Sequence, residues 1–540
     1  MKQKLQLLTL LISLQCTAVS YAQNATKDAE AAKSLRERFQ SGSAEISNYN
    51  TACYLALEGD KALALTYLKK AIYSDGFSNL KTIENDTDLI SLHSDPQWAS
   101  LVKAVADKGD QSKKVTFFYN QPAFWESKAL KTSYAANISA DEKVAGLSKF
   151  WSEAKYNFVN FDLIPNLNFD SLYFAYLPKV RETKSTYDYY RLMSEFCAQL
   201  KDGHTNVFAP DALTNEVYSR PLLRSRLIEN KVLIVGVFDK ELEKQGITLG
   251  QEILSVNGLP VKEYAAKNVT PYQSASTPQD QDVRSFEYSL FSGSSAEPIK
   301  LELADAAGRK STYTINRIKP ADRPVIPGAG PFEFKMLKGN VAYIALNGFD
   351  NDSCAKAFAK NFPEISKADA IIFDVRNNGG GSSSVGWNIL SYLIDKAQPI
   401  SAWYTRDYKP SYRAWQNPQQ NFGSGNSLQP NGKFLYTKPV IVLTGPKTYS
   451  AAEDFAAAFK SLNRGLVLGK ASGGSSGQPL SITLPGDLSA RICTKRDKLA
   501  NGTDFVGIGV LPDKVVGQTV ADFRKGIDTD LEAALKELKK

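Results

Sequence analysis

Short apolar runs alternate with amphipathic stretches along the C-terminal part of the chain. Four of these runs are rich in Val, Ile and Leu and have the length of buried strands. They are Val341–Leu346, Ala370–Asp374, Val440–Thr444 and Leu466–Gly469. Strands this apolar, separated by helical patterns, predict an α/β core with a buried sheet over residues 326–540. The polar stretch 408–433 within it predicts a long loop, of the kind that forms a lid or a binding loop.

Two helical regions are predicted ahead of this core. Residues 23–112 have helical patterns, and 48–72 form a helix–turn–helix unit that resembles a tetratricopeptide repeat. Residues 113–214 predict a second helical domain, rich in aromatic side chains, in which Leu147 and Phe150 fall on one helix face. An aromatic stripe of this kind is typical of a buried core. The predicted role of His93, in the first region, is structural.

Residues 215–325 predict a separate β-rich module. Lys231–Val237 has the pattern of a strand, and 250–258 is a strand that ends in an Asn-Gly turn and resembles a PDZ signature. A PDZ domain adds an extended peptide to the edge of its sheet and holds the terminal carboxylate. The polar stretch 270–298 within the module predicts an insertion or a long loop.

The first 22 residues have the pattern of a secretory signal peptide. Lys2 and Lys4 precede an apolar run over 5–14, and small residues at positions 20 and 22 fit a signal-peptidase site. We expect cleavage after Ala22 and export to the periplasm or out of the cell. The run is too short to span a bilayer, which takes about 20 residues, and no other segment is long and apolar enough.

Charge and histidine content narrow the function classes. The formal net charge of +8 is spread without any run of five or six basic residues, so nucleic acid is not a predicted partner. The chain has two histidines, His93 and His204, which are too few for a zinc site built on histidine. We therefore predict no metal and no cofactor, and any histidine-dependent chemistry must use one of these two.

Three segments far apart in sequence carry candidate chemistry. They are residues 200–205 around His204, residues 374–381 with three consecutive glycines, and residues 448–454 around Ser450. Ser450 follows a buried strand and a Gly-Pro turn and opens a helix, where its hydroxyl lies among free backbone N–H groups. Taken singly, the serine is compatible with a helix N-cap completed by Glu453, and the glycines with an ordinary turn. Together, a serine, a histidine and a glycine-lined anion site are the parts needed for nucleophilic catalysis.

These motifs identify the chain as similar to the C-terminal-processing (tail-specific) serine peptidases, and in particular to the tricorn-core-like branch. The resemblance rests on four segments in the family order: Asp-Gly-His-Thr at 202–205, Asp-Val-Arg-Asn-Asn-Gly-Gly-Gly at 374–381, Ser-Ala-Ala-Glu at 450–453, and Gly-Ile-Gly-Val-Leu-Pro-Asp at 507–513. It implies a core of the crotonase/ClpP-like α/β type, with the PDZ-like module and the helical regions attached.

The resemblance also implies roles for individual residues. Ser450 corresponds to the nucleophile, and the N–H groups of Ala451 and Gly380 to the oxyanion hole. Ser475 stands where many members of the family have a catalytic lysine, so the base falls to His204, as in the histidine-using branch. That branch also has a late acidic residue, for which Asp504 is the nearest candidate.

The resemblance implies a secreted serine endopeptidase that cleaves unfolded or C-terminally tagged proteins through an acyl-enzyme. A histidine base predicts that activity falls as pH drops through roughly 6–7. Two alternatives remain: a catalytically silent ligand- or peptide-binding protein on the same fold, and an acyl-CoA enzyme of the crotonase type. The PDZ-like segment and the absence of CoA-binding signals favour the peptidase over the latter.

Overall fold

The chain forms two compact units, residues 1–127 and 128–540. A computed structural model describes residues 47–119, 130–325 and 328–539, apart from the side chains of 110–119. The predicted signal peptide over 1–22 lies outside the described residues. The units divide after residue 127, whereas the sequence pattern predicts a boundary after 112. Within the described ranges, no helix combines the length and the apolar character needed to cross a bilayer.

The first unit is helical. Its helices are Asn48–Leu57, Lys61–Tyr73, Leu80–Asn85 and Trp98–Tyr119, with a 3-10 helix at Thr87–Leu92. The predicted helix–turn–helix is present: Gly59, with φ of 86°, makes the turn, and Asp60 caps the second helix by accepting the Leu63 N–H. His93 stacks on Trp98, with ring centroids 4.3 Å apart, so it is part of the packing of this unit.

The second unit opens with three helices, Ala140–Asn157, Phe169–Glu182 and Thr186–Ala198. Leu147 and Phe150, predicted to share one face, are both fully buried. The helices share their core with a three-stranded antiparallel sheet, whose spatial order is Asn206–Phe208, Ser489–Cys493 and Pro479–Thr483. This pairing anchors the segment that follows His204 to residues close to the C-terminal end of the chain.

The predicted β-rich module is an antiparallel sheet. Its strands in spatial order are Leu223–Ile228, Lys231–Val237, Glu252–Val256, Ile299–Ala304 and Lys310–Ile315, with Leu259–Pro260 paired to Glu252–Val256. Two helices, Lys240–Lys244 and Val261–Asn268, complete it. Residues 270–298, here called the insertion segment, fold into Thr270–Tyr272, Pro278–Asp282 and the π-helix Val283–Tyr288, and do not form an irregular loop.

The insertion segment contacts both the module and the α/β core. The Ser225 hydroxyl, on the edge strand of the module, donates to the Phe286 carbonyl. Glu287 pairs with Arg226 on the same strand at 2.9 Å and with Lys447 of the core at 2.6 Å. The segment therefore ties the edge of the module to the turn that precedes Ser450.

The α/β core contains the four predicted strands and two more. Their order across the sheet is Lys514–Val515, Leu466–Gly469, Val440–Thr444, Ala370–Asp374, Val341–Leu346 and Phe332–Leu337. Neighbours are parallel except for the last pair. The longer helices of this part are Ser353–Ile365, Ser383–Leu390, Ala451–Ser461 and Thr529–Glu537. Because Asp374 pairs with Leu443, the glycine segment 374–381 and the turn before Ser450 leave the sheet side by side.

The prediction of a long loop over 408–433 is wrong. Strands Gln398–Asp407 and Gln420–Leu428 form an antiparallel hairpin, with the short helix Pro410–Ala414 between them, and Lys495–Leu499 pairs on the other side. Most of Gln420–Leu428 is exposed, so it has no buried face to produce an apolar alternation in the sequence. Shorter helical turns complete the unit, at Phe161–Leu163, Asp211–Leu213, Thr214–Val217, Pro320–Asp322, Ser391–Leu393 and Val520–Arg524.

Candidate active site

Ser450 lies in a strained turn between a buried strand and a helix. The chain leaves Val440–Thr444, turns, and begins helix Ala451–Ser461 with Ser450 as its N-cap. The Ser450 backbone has φ of 54° and ψ of −125°, a conformation that residues with a side chain rarely adopt. Its N–H is held by the Ser475 carbonyl at 3.1 Å and by the Glu453 carboxylate at 3.2 Å. The surrounding structure thus maintains a strained backbone that presents the serine at a helix N-terminus.

His204 contacts Ser450 directly. The Nε2 atom of His204 lies 3.0 Å from Ser450 Oγ, across 246 positions of sequence. Asp202 fixes the loop, since its Oδ1 accepts the His204 backbone N–H and the Thr205 hydroxyl, each at 2.9 Å. With Nε2 as acceptor, the imidazole can take the proton of the Ser450 hydroxyl, which is the contact that a general base requires.

Ser475 occupies the other side of the imidazole. Its Oγ lies 2.7 Å from His204 Nδ1, and its side chain is fully buried. From the sequence, Ser475 is notable only as the position where many members of the family have a lysine. In the structure its hydroxyl contacts His204. When Nδ1–H donates to the Ser475 hydroxyl, Nε2 is unprotonated and can act on Ser450, so this contact provides an acceptor for the tautomer that a base requires.

Asp504 does not take the supporting role predicted for it. Its carboxylate pairs with Arg496 at 3.0 Å and with Lys498 at 3.4 Å. Those two cations account for the acid at this position, and the Nδ1 side of His204 is occupied by a neutral hydroxyl. We therefore do not retain Asp504 as the acidic member of the site.

The pKa of His204 is strongly depressed. Burial of the ring lowers it to about 3, and the positive charges of Arg491, Arg284 and Lys495 act in the same direction. The imidazole is 5% exposed and neutral at neutral pH. This moves the acid limb expected for the base well below the pH range of 6–7 that an unperturbed histidine predicts.

The two predicted oxyanion donors differ in the structure. Ala451 is the first residue of the helix, so its N–H is one of the groups without an intrahelical acceptor. Gly380 lies beside the nucleophile, because a Cβ on it would be 2.7 Å from Ser450 Cβ and 3.1 Å from the Ala451 nitrogen. Its own N–H, however, donates to Asn378 Oδ1 at 2.9 Å. Gly380 therefore provides close approach here, and Ala451 provides the available donor.

Glu453 organises the loop that carries Ser475. It is fully buried, and its Oε1 accepts the Ser472 hydroxyl at 2.6 Å and the Gly474 N–H at 2.7 Å. Its Oε2 accepts the Ser475 N–H at 2.8 Å as well as the N–H of Ser450. Burial raises the pKa of Glu453 to about 8, while the hydrogen bonds oppose that rise. One buried carboxyl group thus fixes the backbone of both Ser450 and Ser475.

A second group of residues, not anticipated from sequence, surrounds the imidazole. The ring of Tyr449 stacks on His204, with centroids 5.3 Å apart and planes 16° from parallel. Its hydroxyl accepts from Arg284 Nη2 at 2.9 Å, and the same Arg284 nitrogen donates to the Gly203 carbonyl at 3.2 Å. Asp280, nearly fully buried, pairs with Arg284 at 2.8 Å. The insertion segment therefore holds Gly203 and Tyr449, which directly precede His204 and Ser450.

One cluster with the composition of a metal site lies elsewhere. Ligand atoms of Cys53, Asp86 and Asp88 lie within 4.8 Å of one another. They belong to the first unit, where Tyr49 and Cys53 already donate to Asp86.

A serine at a helix N-terminus faces a buried histidine, which is the arrangement that serine hydrolases use for nucleophilic catalysis. Residues 340–516 match the sequence model of Peptidase family S41, so the chain is similar to this family over that region. The matched region contains Ser450 and Ser475 but not His204. The identification from the four motifs is confirmed, and so is the α/β character of the core.

Curated relatives have the corresponding names. The C-terminal processing peptidase, chloroplastic, of Tetradesmus obliquus is 26% identical over 299 residues, which is 55% of this chain and 57% of the relative. The carboxy-terminal-processing protease of Bartonella bacilliformis is 26% identical over 296 residues, 52% of this chain and 64% of the relative. The chain thus spans less than two thirds of the length of these relatives.

A solved structure shares the fold. Mature CPAF complexed with lactacystin aligns with a TM-score of 0.60 over 74% of this chain and 98% of that one, at 14% identity. At this level of identity the similarity concerns the fold alone.

Proposed function

We propose that this chain is a serine endopeptidase that works through an acyl-enzyme, with Ser450 as nucleophile and His204 as general base. The observation that carries the proposal is the 3.0 Å contact between Ser450 Oγ and His204 Nε2. In this mechanism, His204 takes the hydroxyl proton while Oγ attacks the peptide carbonyl. His204 then returns the proton to the leaving amine, and a water molecule repeats the sequence on the ester.

Charge on the tetrahedral intermediate is stabilised at the helix start. The Ala451 N–H and the positive end of helix Ala451–Ser461 lie next to the oxygen that attacks. The second predicted donor, Gly380, contributes once its N–H leaves Asn378, or else a neighbouring glycine of the same turn replaces it. The site works without an acidic third member: Ser475 orients the imidazole, and burial keeps it neutral.

The proposed substrates are unfolded proteins or protein tails, cleaved in the periplasm or outside the cell. The names of the relatives and the predicted signal peptide support this assignment. A protein tail that adds as a strand at Leu223–Ile228 would meet the insertion segment there. The segment already contacts this strand through Phe286 and Glu287. Deletion of the whole module would also remove Arg284, which holds the catalytic loops, so the deletion cannot separate recruitment from catalysis.

The proposal is tested by labelling and by point variants of the full-length protein. We expect a serine-reactive phosphonate to modify wild type at Ser450, and quenched peptides to be hydrolysed. Ser450→Ala and His204→Ala should each reduce kcat by at least about a thousandfold, and the double variant should lose little more, because the two groups act as a unit. Lys470→Ala is the control, since this exposed lysine lies five residues before Ser475, the position where many members of the family have a catalytic lysine. A folded wild type that neither labels nor cleaves would favour the silent binding protein, and an active His204→Ala with an inactive Lys470→Ala would reassign the base.

A further inference from the structure

A large polar cavity lies beside residues 202–205, here called the base loop because they include His204, and two of its lining residues, Arg284 and Arg491, contact the Gly203 carbonyl. It has a volume of about 770 Å³, within the range of roughly 300–1,000 Å³ that is usual for ligand pockets. Its walls come from helix Thr186–Ala198, the strand Asn206–Phe208, helix Val261–Asn268 and the insertion segment. The edge strand Leu223–Ile228 contributes no residue to the lining, so this cavity is distinct from a strand-addition groove on the module.

The lining of the cavity has an excess of positive charge. Four arginines line it, against two glutamates, Glu216 and Glu297. Both glutamates are exposed. Of the four arginines, only Arg284 forms an ion pair among the described residues, with Asp280.

Arg317 is the most informative of these side chains. It is 7% exposed, and its Nε and Nη1 donate to the backbone carbonyls of Phe291 and Glu297 at 2.8 and 2.7 Å. No carboxylate pairs with it within the described part of the chain, and its Nη2 has no acceptor there. Buried cations are rarely left unpaired because desolvation is costly. A guanidinium held by two carbonyls with one nitrogen free is arranged to receive an external anion.

Two other arginines extend the positive surface. Arg191 donates to the Asn268 carbonyl at 3.2 Å and lies over the Tyr272 ring, 3.2 Å from its centroid. Arg491 donates to Asn206 Oδ1 at 2.8 Å and approaches the Gly203 carbonyl at 3.4 Å. Gly203 directly precedes His204, so the wall of the cavity is one residue away from the catalytic base.

We propose that this cavity is a substrate subsite for a peptide carboxylate, bound by Arg317 and Arg191 with Arg491 at its catalytic end. The inference rests on the proposed peptidase function for the nature of the ligand. The carboxylate is supplied either by an Asp or Glu side chain or by the C-terminus of the peptide, because both present the same two oxygens to a guanidinium. Binding there would place the neighbouring peptide segment beside the base loop.

The test measures binding separately from catalysis. Full-length protein carrying Ser450→Ala is titrated, by fluorescence anisotropy, into three labelled peptides of one otherwise uncharged sequence. The first has Gln at a central position and an amidated C-terminus, the second replaces that Gln by Glu, and the third restores the free carboxylate. We expect at least one anionic peptide to bind about fivefold or more tightly than the neutral one, as a charge-assisted hydrogen bond predicts. The member of the pair that shows the preference identifies the source of the carboxylate.

Arginine variants locate the preference within the protein. Arg317→Gln should reduce binding of the preferred anionic peptide to the level of the neutral peptide, whose affinity should change less than about twofold. If circular dichroism shows that Arg317→Gln is unfolded, Arg191→Gln tests the same preference for the anionic peptide, because Arg191 is only half-buried. Arg309→Gln is the matched control, since Arg309 is 84% exposed in the same module. Equal binding of all three peptides, or a preference unchanged in the folded arginine variants, would overturn the proposal. Failure of wild type to hydrolyse any peptide would instead count against the proposed function.

Discussion

Replacement of Ser475 by alanine isolates the least expected contact of the site. It removes the hydroxyl that faces His204 Nδ1 at 2.7 Å and leaves that N–H buried in a side chain that is only 5% exposed. The imidazole proton can then move to Nε2, where Ser450 Oγ is available as an acceptor. In that tautomer Nε2 cannot accept the proton of the Ser450 hydroxyl. We expect kcat to fall while the fold is retained.

The size of the effect follows from the chemistry of the pair. A neutral hydrogen bond contributes about 0.5–1.5 kcal/mol, and a buried donor without an acceptor costs about 1–3 kcal/mol. A loss of about 1–3 kcal/mol from the transition state corresponds to a ~5- to 150-fold fall in kcat, at roughly 1.4 kcal/mol for each factor of ten. KM should change little, since Ser475 is fully buried behind the base.

The assay is steady-state cleavage of a quenched peptide, with kcat and KM measured separately between pH 5 and 9. Ser391→Ala is the matched control, because Ser391 is also buried and its hydroxyl donates to the Asn388 carbonyl and not to a residue of the site. Wild-type kcat in a folded Ser475→Ala enzyme would refute the assignment of a positioning role to this hydroxyl. A raised KM with unchanged kcat would show that Ser475 affects substrate binding instead.

Three further predictions concern the surroundings of the nucleophile. At pH 9, above the pKa of about 8 of Glu453, Glu453→Gln places an NH2 group against buried donors and should lower the free energy of unfolding by about 2–4 kcal/mol, measured by urea denaturation. Wild-type stability at that pH would show that the four contacts are not needed. Gly380→Ala should lower the free energy of unfolding by at least about 2 kcal/mol, because the new Cβ would contact Ser450 and the φ of 107° disfavours a side chain. Gly379→Ala is the control and should be neutral, because a Cβ there has open space. Equal stability of the two variants would contradict the packing at Gly380. The pKa of His204 is lowered to about 3 in the folded protein, so the unfolded state takes up the proton of this histidine first as pH falls. The free energy of unfolding should therefore fall by up to about 1.4 kcal/mol per pH unit below pH 6.5. His204→Gln should lack this pH dependence, and an identical slope in that variant would show that other groups cause it.

The buried sheet could be predicted from sequence because its strands have a strong local signal. Four apolar runs bounded by turns need no tertiary information to be identified, and all four lie in one sheet. The outer strand Gln420–Leu428 could not, since an exposed strand has little apolar pattern and depends on its partner for its conformation. The helices of the insertion segment are short, and their polar composition is that of a loop.

The candidate site shows the same division between local and long-range information. Ser450 was identifiable because a strand, a turn and a capped helix follow one another along the chain. The pairing of His204 with Ser450 followed from the family resemblance, and the structure places them in contact. Ser475 and Arg284 could not be predicted, because a serine and an arginine have many ordinary roles. Their function depends on the fold bringing them to a histidine 271 and 80 positions away, and for Ser475 only the missing lysine marked the position.

The positive surroundings of the base imply a coupling between substrate charge and catalysis. Arg491, Arg284 and Lys495 all lower the pKa of His204, which keeps the base neutral but disfavours the imidazolium that forms during acylation. A substrate carboxylate on the arginine side of the base loop would cancel part of that potential and stabilise the imidazolium. The pKa of His204 should then be higher in the complex with an acidic peptide than in the free enzyme. Because kcat reports the complex and kcat/KM the free enzyme, the acid limb of kcat should lie at higher pH than that of kcat/KM for the acidic peptide. The two limbs should coincide for its neutral counterpart, and coincident limbs with both peptides would show that the arginines and the base are not coupled through the substrate.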